Sequence, residues 1–86
     1  MMNCTFQSHL DVINNRDKKH LLKFGKHLRK LRLEKDITQL DLSYDSKLSD
    51  NMVGMIERGE VNPTLTTIEA LAQGLGITKK ELMDYN

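Results

Sequence analysis

Few side chains in this sequence are placed for covalent or metal chemistry. His20 and His27 lie seven residues apart on one helix face beside Lys23, but a metal needs three or four converging ligands and nothing completes the pair. More plainly they read as solvated helix residues. Cys4 and His9 stand in a polar N-terminal stretch. There is no Ser-His-Asp order, no glycine-rich phosphate loop and no pair of carboxylates set for acid and base work. No catalytic activity, cofactor or metal is therefore expected. What the chain does offer is a series of hydroxyl and amide side chains near helix ends. They are Thr38-Gln39, Ser49 and Asn62-Pro63-Thr64. Short hydroxyl and amide groups at helix N-termini suit phosphate oxygens. Asn can also pair bidentately with adenine in the major groove, worth about 1–3 kcal/mol of discrimination.

The elements that must position these residues follow from apolar spacing and capping. Leu21, Phe24, Leu28 and Leu31 form a helical stripe, which predicts a helix from about Asp17 to Lys35 with Asp17 as its cap. Thr38-Gln39-Leu40-Asp41 resembles a capping box and opens a short helix to about Ser46, with Leu42 and Ser43 inward. Lys47 and Leu48 make a turn, Leu48 reaching the core. A third helix capped by Ser49 carries Val53 and Ile56 inward and stops at Gly59. Gly54 inside that helix costs about 1 kcal/mol relative to Ala and calls for a reason, such as close approach of another group. After the Asn62-Pro63 turn, Thr64 caps a fourth helix with Leu65, Ile68, Leu71, Ala72 and Leu75 on one face. Thr78-Lys79-Lys80-Glu81 is a capping box for a short fifth helix with Leu82 and Met83 apolar. Two short helices joined by a tight turn form a unit whose second helix can enter the major groove of DNA.

Size and charge are consistent with this reading. The 86 residues make one small domain with one modest core. The absence of Trp and the single Pro, with Leu and Ile dominating the apolar set, favour packed helices over a sheet. No run of about 18 apolar residues suggests a membrane span, and no secretion signal is expected. With one cysteine there is no internal disulfide, and a cytoplasmic location is expected. Residues 16–35 hold nine Lys/Arg against two acidic residues, whereas residues 36–86 hold four Lys/Arg against nine. A basic helix beside an acidic body gives a directed field, although a basic helix alone can equally be a solvated face.

The ordered set Gly25-x-x-Leu28-Arg29-x-Leu31-Arg32, Thr38-Gln39-x-x-Leu42, Ile56-Glu57-Arg58-Gly59-Glu60-x-Asn62-Pro63-Thr64-Leu65 and Leu75-Gly76-Ile77 resembles the phage repressor and Cro-like helix-turn-helix family, the xenobiotic-response-element type of regulator. The likeness runs from about Leu22 to Asp84. It implies an all-α, five-helix lambda-repressor-like DNA-binding domain over residues 17–86, preceded by an extension, residues 1–16, that is a short helix or disordered. It further implies a sequence-specific transcriptional regulator bound to double-stranded DNA as a homodimer on a palindromic operator. By position, Ser49 would meet phosphate, Asp50 and Asn51 base edges, and Met55 the groove. Gln39 would donate to a backbone phosphate, Arg58, Asn62 and Thr64 would touch the sugar-phosphate chain, and Arg32 and Glu57 would form a structural ion pair. Asp50 can instead be a helix cap, and Met52 and Met55 can face the core or a partner.

Three features set this chain apart from the family pattern. The third helix carries no basic residue before Arg58. Lys47 stands where relatives often have Gly, in a position that prefers a left-handed backbone. Leu40 and Tyr44 form an added apolar strip on the second helix. That strip supports the alternative of a protein-interaction module, antitoxin-like or an adaptor, on the same fold with weak or no DNA binding. Phe6, Leu10 and Ile13, at helical spacing, are the segment expected to pack on it.

Overall fold

The computed structural model describes the backbone of residues 2–85 and the side chains of residues 17–85. Five helices follow in order: α1 (Met2–Glu34), α2 (Gln39–Asp45), α3 (Met52–Glu57), α4 (Leu65–Leu75) and α5 (Lys79–Met83). There are no strands among the described residues. α1 packs on α3 and α5, α2 on α3 and α4, and α4 on α5. One core of Phe24, Leu28, Leu42, Val53, Ile56, Ile68, Leu71, Ala72, Leu75 and Leu82 joins all five. Burying each large aliphatic side chain in it contributes about 1.5–3 kcal/mol.

Three expectations are corrected. Asp17 does not cap α1, because the helix runs unbroken from Met2 to Glu34. Nothing in residues 1–16 breaks a helix: the stretch has no Gly or Pro. Ser49 does not cap α3 either. The helix starts at Met52 with Asn51 in the cap position, and Asn51 makes no side-chain capping bond. The Ser49 carbonyl instead accepts from Met52 N at 3.0 Å, closing a turn ahead of the helix. Leu65 is not a core residue. It is 87% exposed at the start of α4, while Ile68, Leu71, Ala72 and Leu75 carry the packing. The expected contact of Phe6, Leu10 and Ile13 with Leu40 and Tyr44 lies outside the described side chains.

The other caps follow the sequence. Thr38, Thr64 and Thr78 each accept a hydrogen bond from the backbone N–H three residues on. The reciprocal side-chain bond of a full capping box forms only at Thr78, where Glu81 reaches back.

Two glycines set how closely elements meet. A Cβ on Gly25 would lie 2.5 Å from the Glu57 carbonyl oxygen and 2.6 Å from that of Ile56. The C-terminal end of α3 therefore sits directly against the backbone of α1, and only Gly fits there. Gly59, at φ 71°, ends α3 with a left-handed residue, and the next amide, Glu60 N, returns to Met55 O at 2.9 Å. Lys47 does the same after α2 at φ 58°, with Leu48 N bonded to Ser43 O at 2.8 Å. There the geometry is met by a residue with a Cβ, at a steric cost that Gly would avoid.

Candidate nucleic-acid interface

The turn between α2 and α3 ends in Ser49, Asp50 and Asn51, all exposed. None of the three makes a side-chain hydrogen bond to a described residue. They stand at the N-terminal edge of α3, beside backbone amides that have no intrahelical acceptor. Met55, one turn further, is half-buried. Met52 is also half-buried and packs on the core. Val53 and Ile56 hold α3 down, so all of α3 is buried or half-buried and only the turn ahead of it is exposed.

The trailing end is held by a polar bridge. Arg32 Nε donates to Glu57 Oε2 at 2.7 Å, and Arg32 Nη2 donates to Glu57 Oε1 at 3.2 Å. Arg32 Nη1 donates to the Ile37 carbonyl at 2.8 Å. Both ionic side chains are buried, so their charges are stabilised by each other and by these bonds rather than by water. Gln39 Nε2 donates to Glu57 Oε1 at 3.0 Å and so joins α2 to the bridge. α1, α2 and α3 thus meet on one carboxylate, and the loop between α1 and α2 joins them through Arg32. This fixes the angle between α2 and α3.

Gly54 has its reason here. A Cβ would sit 3.0 Å from Nη1 of Arg58 and 3.1 Å from Oε1 of Gln39. The missing side chain makes room for both polar groups across α3. Arg58 in turn forms a fork with Glu60, Nε to Oε2 at 2.6 Å and Nη2 to Oε1 at 3.3 Å. The Arg58 hydrogen bond outweighs the loss of hydration and, with the Arg58 charge behind it, holds the Glu60 carboxyl below its ordinary value. Lys18 of α1 acts in the same direction. The bond and charge of Glu60 correspondingly raise the Arg58 guanidinium.

Beyond the fork, Asn62 is exposed, and Thr64 Oγ1 accepts from Thr67 N at 3.2 Å and lies within hydrogen-bond distance of the Thr66 and Thr67 hydroxyls. Gln39, Gly54, Arg58 and Glu60 therefore come together, the Ser49–Asn51 turn forms the free end of α3, and Asn62 and Thr64 flank the entry to α4. Sequence reading missed Glu60 and Lys18. The Arg58-x-Glu60 spacing was the available signal for Glu60, but only the turn at Gly59 brings the two together. His27 was also misread. Its Nε2 lies 3.0 Å from the carbonyl oxygen of Glu81, so it ties α1 to α5 instead of standing free in solvent.

Comparison with known proteins gives the family. Residues 28–82 match the helix-turn-helix family. The chain is 39% identical over 59 residues to an uncharacterized HTH-type transcriptional regulator, y4dJ, of Sinorhizobium fredii, covering 69% of this chain and 77% of that protein. It is 35% identical over 65 residues to the control protein C.BamHI of Bacillus amyloliquefaciens, covering 74% and 80%. The crystal structure of the restriction-modification controller protein C.AhdI from Aeromonas hydrophila superposes with a TM-score of 0.73 at 42% identity, over 74% of this chain and 97% of that one. An all-helical fold, a matching family over residues 28–82 and regulators among its relatives together place it: the chain belongs to the helix-turn-helix family of Cro/C1-type DNA-binding transcription regulators.

Proposed function

We propose that the protein is a homodimeric, operator-specific regulator in which the Ser49–Asn51 turn reads DNA in the major groove. The observation that carries this reading is the free state of that turn: three exposed polar side chains at the leading end of α3, with no partner among the described residues. Asn51 and Asp50 face base edges, Ser49 meets phosphate, and Met55 packs at the groove wall. Gln39, Arg58, Asn62 and Thr64 contact the backbone on either side. The Lys/Arg of α1 add a salt-sensitive attraction that carries no sequence information.

Dimerisation is assigned to α5 and the loop before it, together with the start of α4. Leu65 is 87% exposed and Met83 47% exposed. With Ile68 and Tyr85 they border an apolar hollow between α1, α4 and α5. A second copy would cover these side chains, and its reading turn would fall about one helical turn of DNA, near 34 Å, from the first. The reading includes no catalytic step and no cofactor. Among the described residues no helix is long and apolar enough to cross a membrane. The site of action is the cytoplasm, where operator DNA lies.

A second surface is compatible with this role. Leu40 and Tyr44 are 56% and 82% exposed on the outer side of α2, and nothing in the described chain covers them. They favour a protein partner that joins the regulator without replacing DNA.

Selection of bound duplexes from a random pool, followed by gel shift on the enriched sequence, tests the operator reading. A two-fold-symmetric motif with half-sites one turn apart is the expected result. A folded protein that enriches no motif at low salt would overturn it.

A further inference from the structure

Arg58 is the one cation on α3 and the loop that follows it to Thr64. Its Nη1 lies over Gly54, where only a hydrogen leaves the guanidinium open, while Gln39 turns its Oε1 toward the same glycine and gives its Nε2 to Glu57. The other edge of the guanidinium is already occupied. Nε and Nη2 form parallel bonds to the two oxygens of Glu60, the same two-pronged geometry with which guanidinium binds a phosphate. The left-handed turn at Gly59 folds the chain back, and the Glu60 N–H bond to Met55 O fixes that fold. Both ionic side chains remain about half exposed, so solvent or a ligand can reach the fork.

We infer that Glu60 is an intramolecular competitor for a DNA backbone phosphate at Arg58: the fork is held by Glu60 in the free protein and handed to phosphate in the complex. Glu60 then sets the affinity of Arg58 for phosphate. It lowers binding to every sequence and leaves discrimination to the contacts at Ser49–Asn51 that only an operator satisfies. Salt weakens the internal fork as it weakens the phosphate contact, so the competition is strongest at low ionic strength.

This inference rests on the operator reading, and a double-mutant cycle separates the two. Glu60→Gln, Arg58→Gln and the double variant are each titrated by fluorescence anisotropy against the selected operator and against a random-sequence duplex, at several salt concentrations. Circular dichroism checks that each is folded. In the parent background Glu60→Gln is expected to raise affinity for both duplexes up to about fivefold, the scale of one exposed ion pair. The gain should be largest at low salt and should vanish in the Arg58→Gln background. An equal gain in both backgrounds would mean that Glu60 merely repels DNA, and it would overturn the inference while leaving the operator reading intact. No gain in either background overturns it too. Absence of binding to any duplex by both the parent protein and Glu60→Gln overturns the operator reading and this inference together.

Discussion

Glu57 and Arg58 are consecutive residues with opposite circumstances. Glu57 points inward and receives Arg32 and Gln39 in a site closed to water. Arg58 points outward and grips Glu60, two residues along, in an open fork. The inner pair joins residues 25 apart in sequence and fixes how α1, α2 and α3 meet. The outer pair joins residues on one turn and fixes no tertiary relation. The difference shows how one helix end can hold both an anchored pair and an open one. Burial turns an ion pair into a constraint, whereas exposure leaves one that can be exchanged for another anion.

Breaking the inner pair should have the largest effect. Glu57→Ala leaves the Arg32 charge buried without its partner and should destabilise the fold by about 3–5 kcal/mol, measured by urea unfolding. Arg58→Ala in the same assay should leave the midpoint almost unchanged while weakening DNA binding. If the two substitutions cost similar stability, the contrast between the pairs is wrong.

Next in size is the contrast between the two ends of the helix. Asn51→Ala should change which sequences are selected, by about 1–3 kcal/mol at one base position if Asn51 makes a bidentate base contact. Gln39→Ala should lower binding to all sequences in parallel. It should also cost some stability, because its bond to Glu57 is lost. Repeating the selection with both variants decides this, and a shifted motif for Gln39→Ala with an unshifted one for Asn51→Ala would reverse the assignment.

Lys47→Gly sharpens the comparison from the backbone side. Lys47 holds φ 58° after α2, and Gly there should raise stability by up to about 1 kcal/mol without altering the inner bridge. A thermal melt that falls would show that the Lys47 side chain contributes more than its backbone costs.

The smallest effect concerns pH. Arg58 holds the folded Glu60 carboxyl below its ordinary value. Its contribution to stability is therefore complete above the ordinary carboxylate range and is lost as pH falls through the lowered folded value. Glu60→Gln should match the parent protein in acid unfolding once Glu60 is protonated and differ from it only slightly at neutral pH. A large difference at neutral pH would mean the outer fork is a structural pair like the inner one.

The elements were mostly legible in advance because their signals are local. Thr38, Thr64 and Thr78 cap the helices that follow them, and the stripe around Phe24 and Leu28 gives the buried face of α1. Boundaries failed where a local signal was outweighed. Asp17 has a capping side chain, but no Gly or Pro interrupts the stretch before it, and α1 continues through it. Ser49 has one as well, yet the tight return after Lys47 delays α3 to Met52. Leu65 fits the apolar spacing of α4, but its place in the first turn carries it past the edge of the core. His27 was unreadable because its partner, the Glu81 carbonyl, is 54 residues away.

By itself the sequence determined the five helices, their inward faces and the family to which they belong, since capping and a 3.6-residue period act over a few neighbours. Tertiary structure decided which polar residues are available to DNA. Gln39 gives its Nε2 to Glu57 and turns its Oε1 toward Gly54, Arg58 is held by Glu60, and the Ser49–Asn51 turn is left free. Hydrogen bonds and burial depend on distance in space, and that distance is set only when α1, α2 and α3 close on one another.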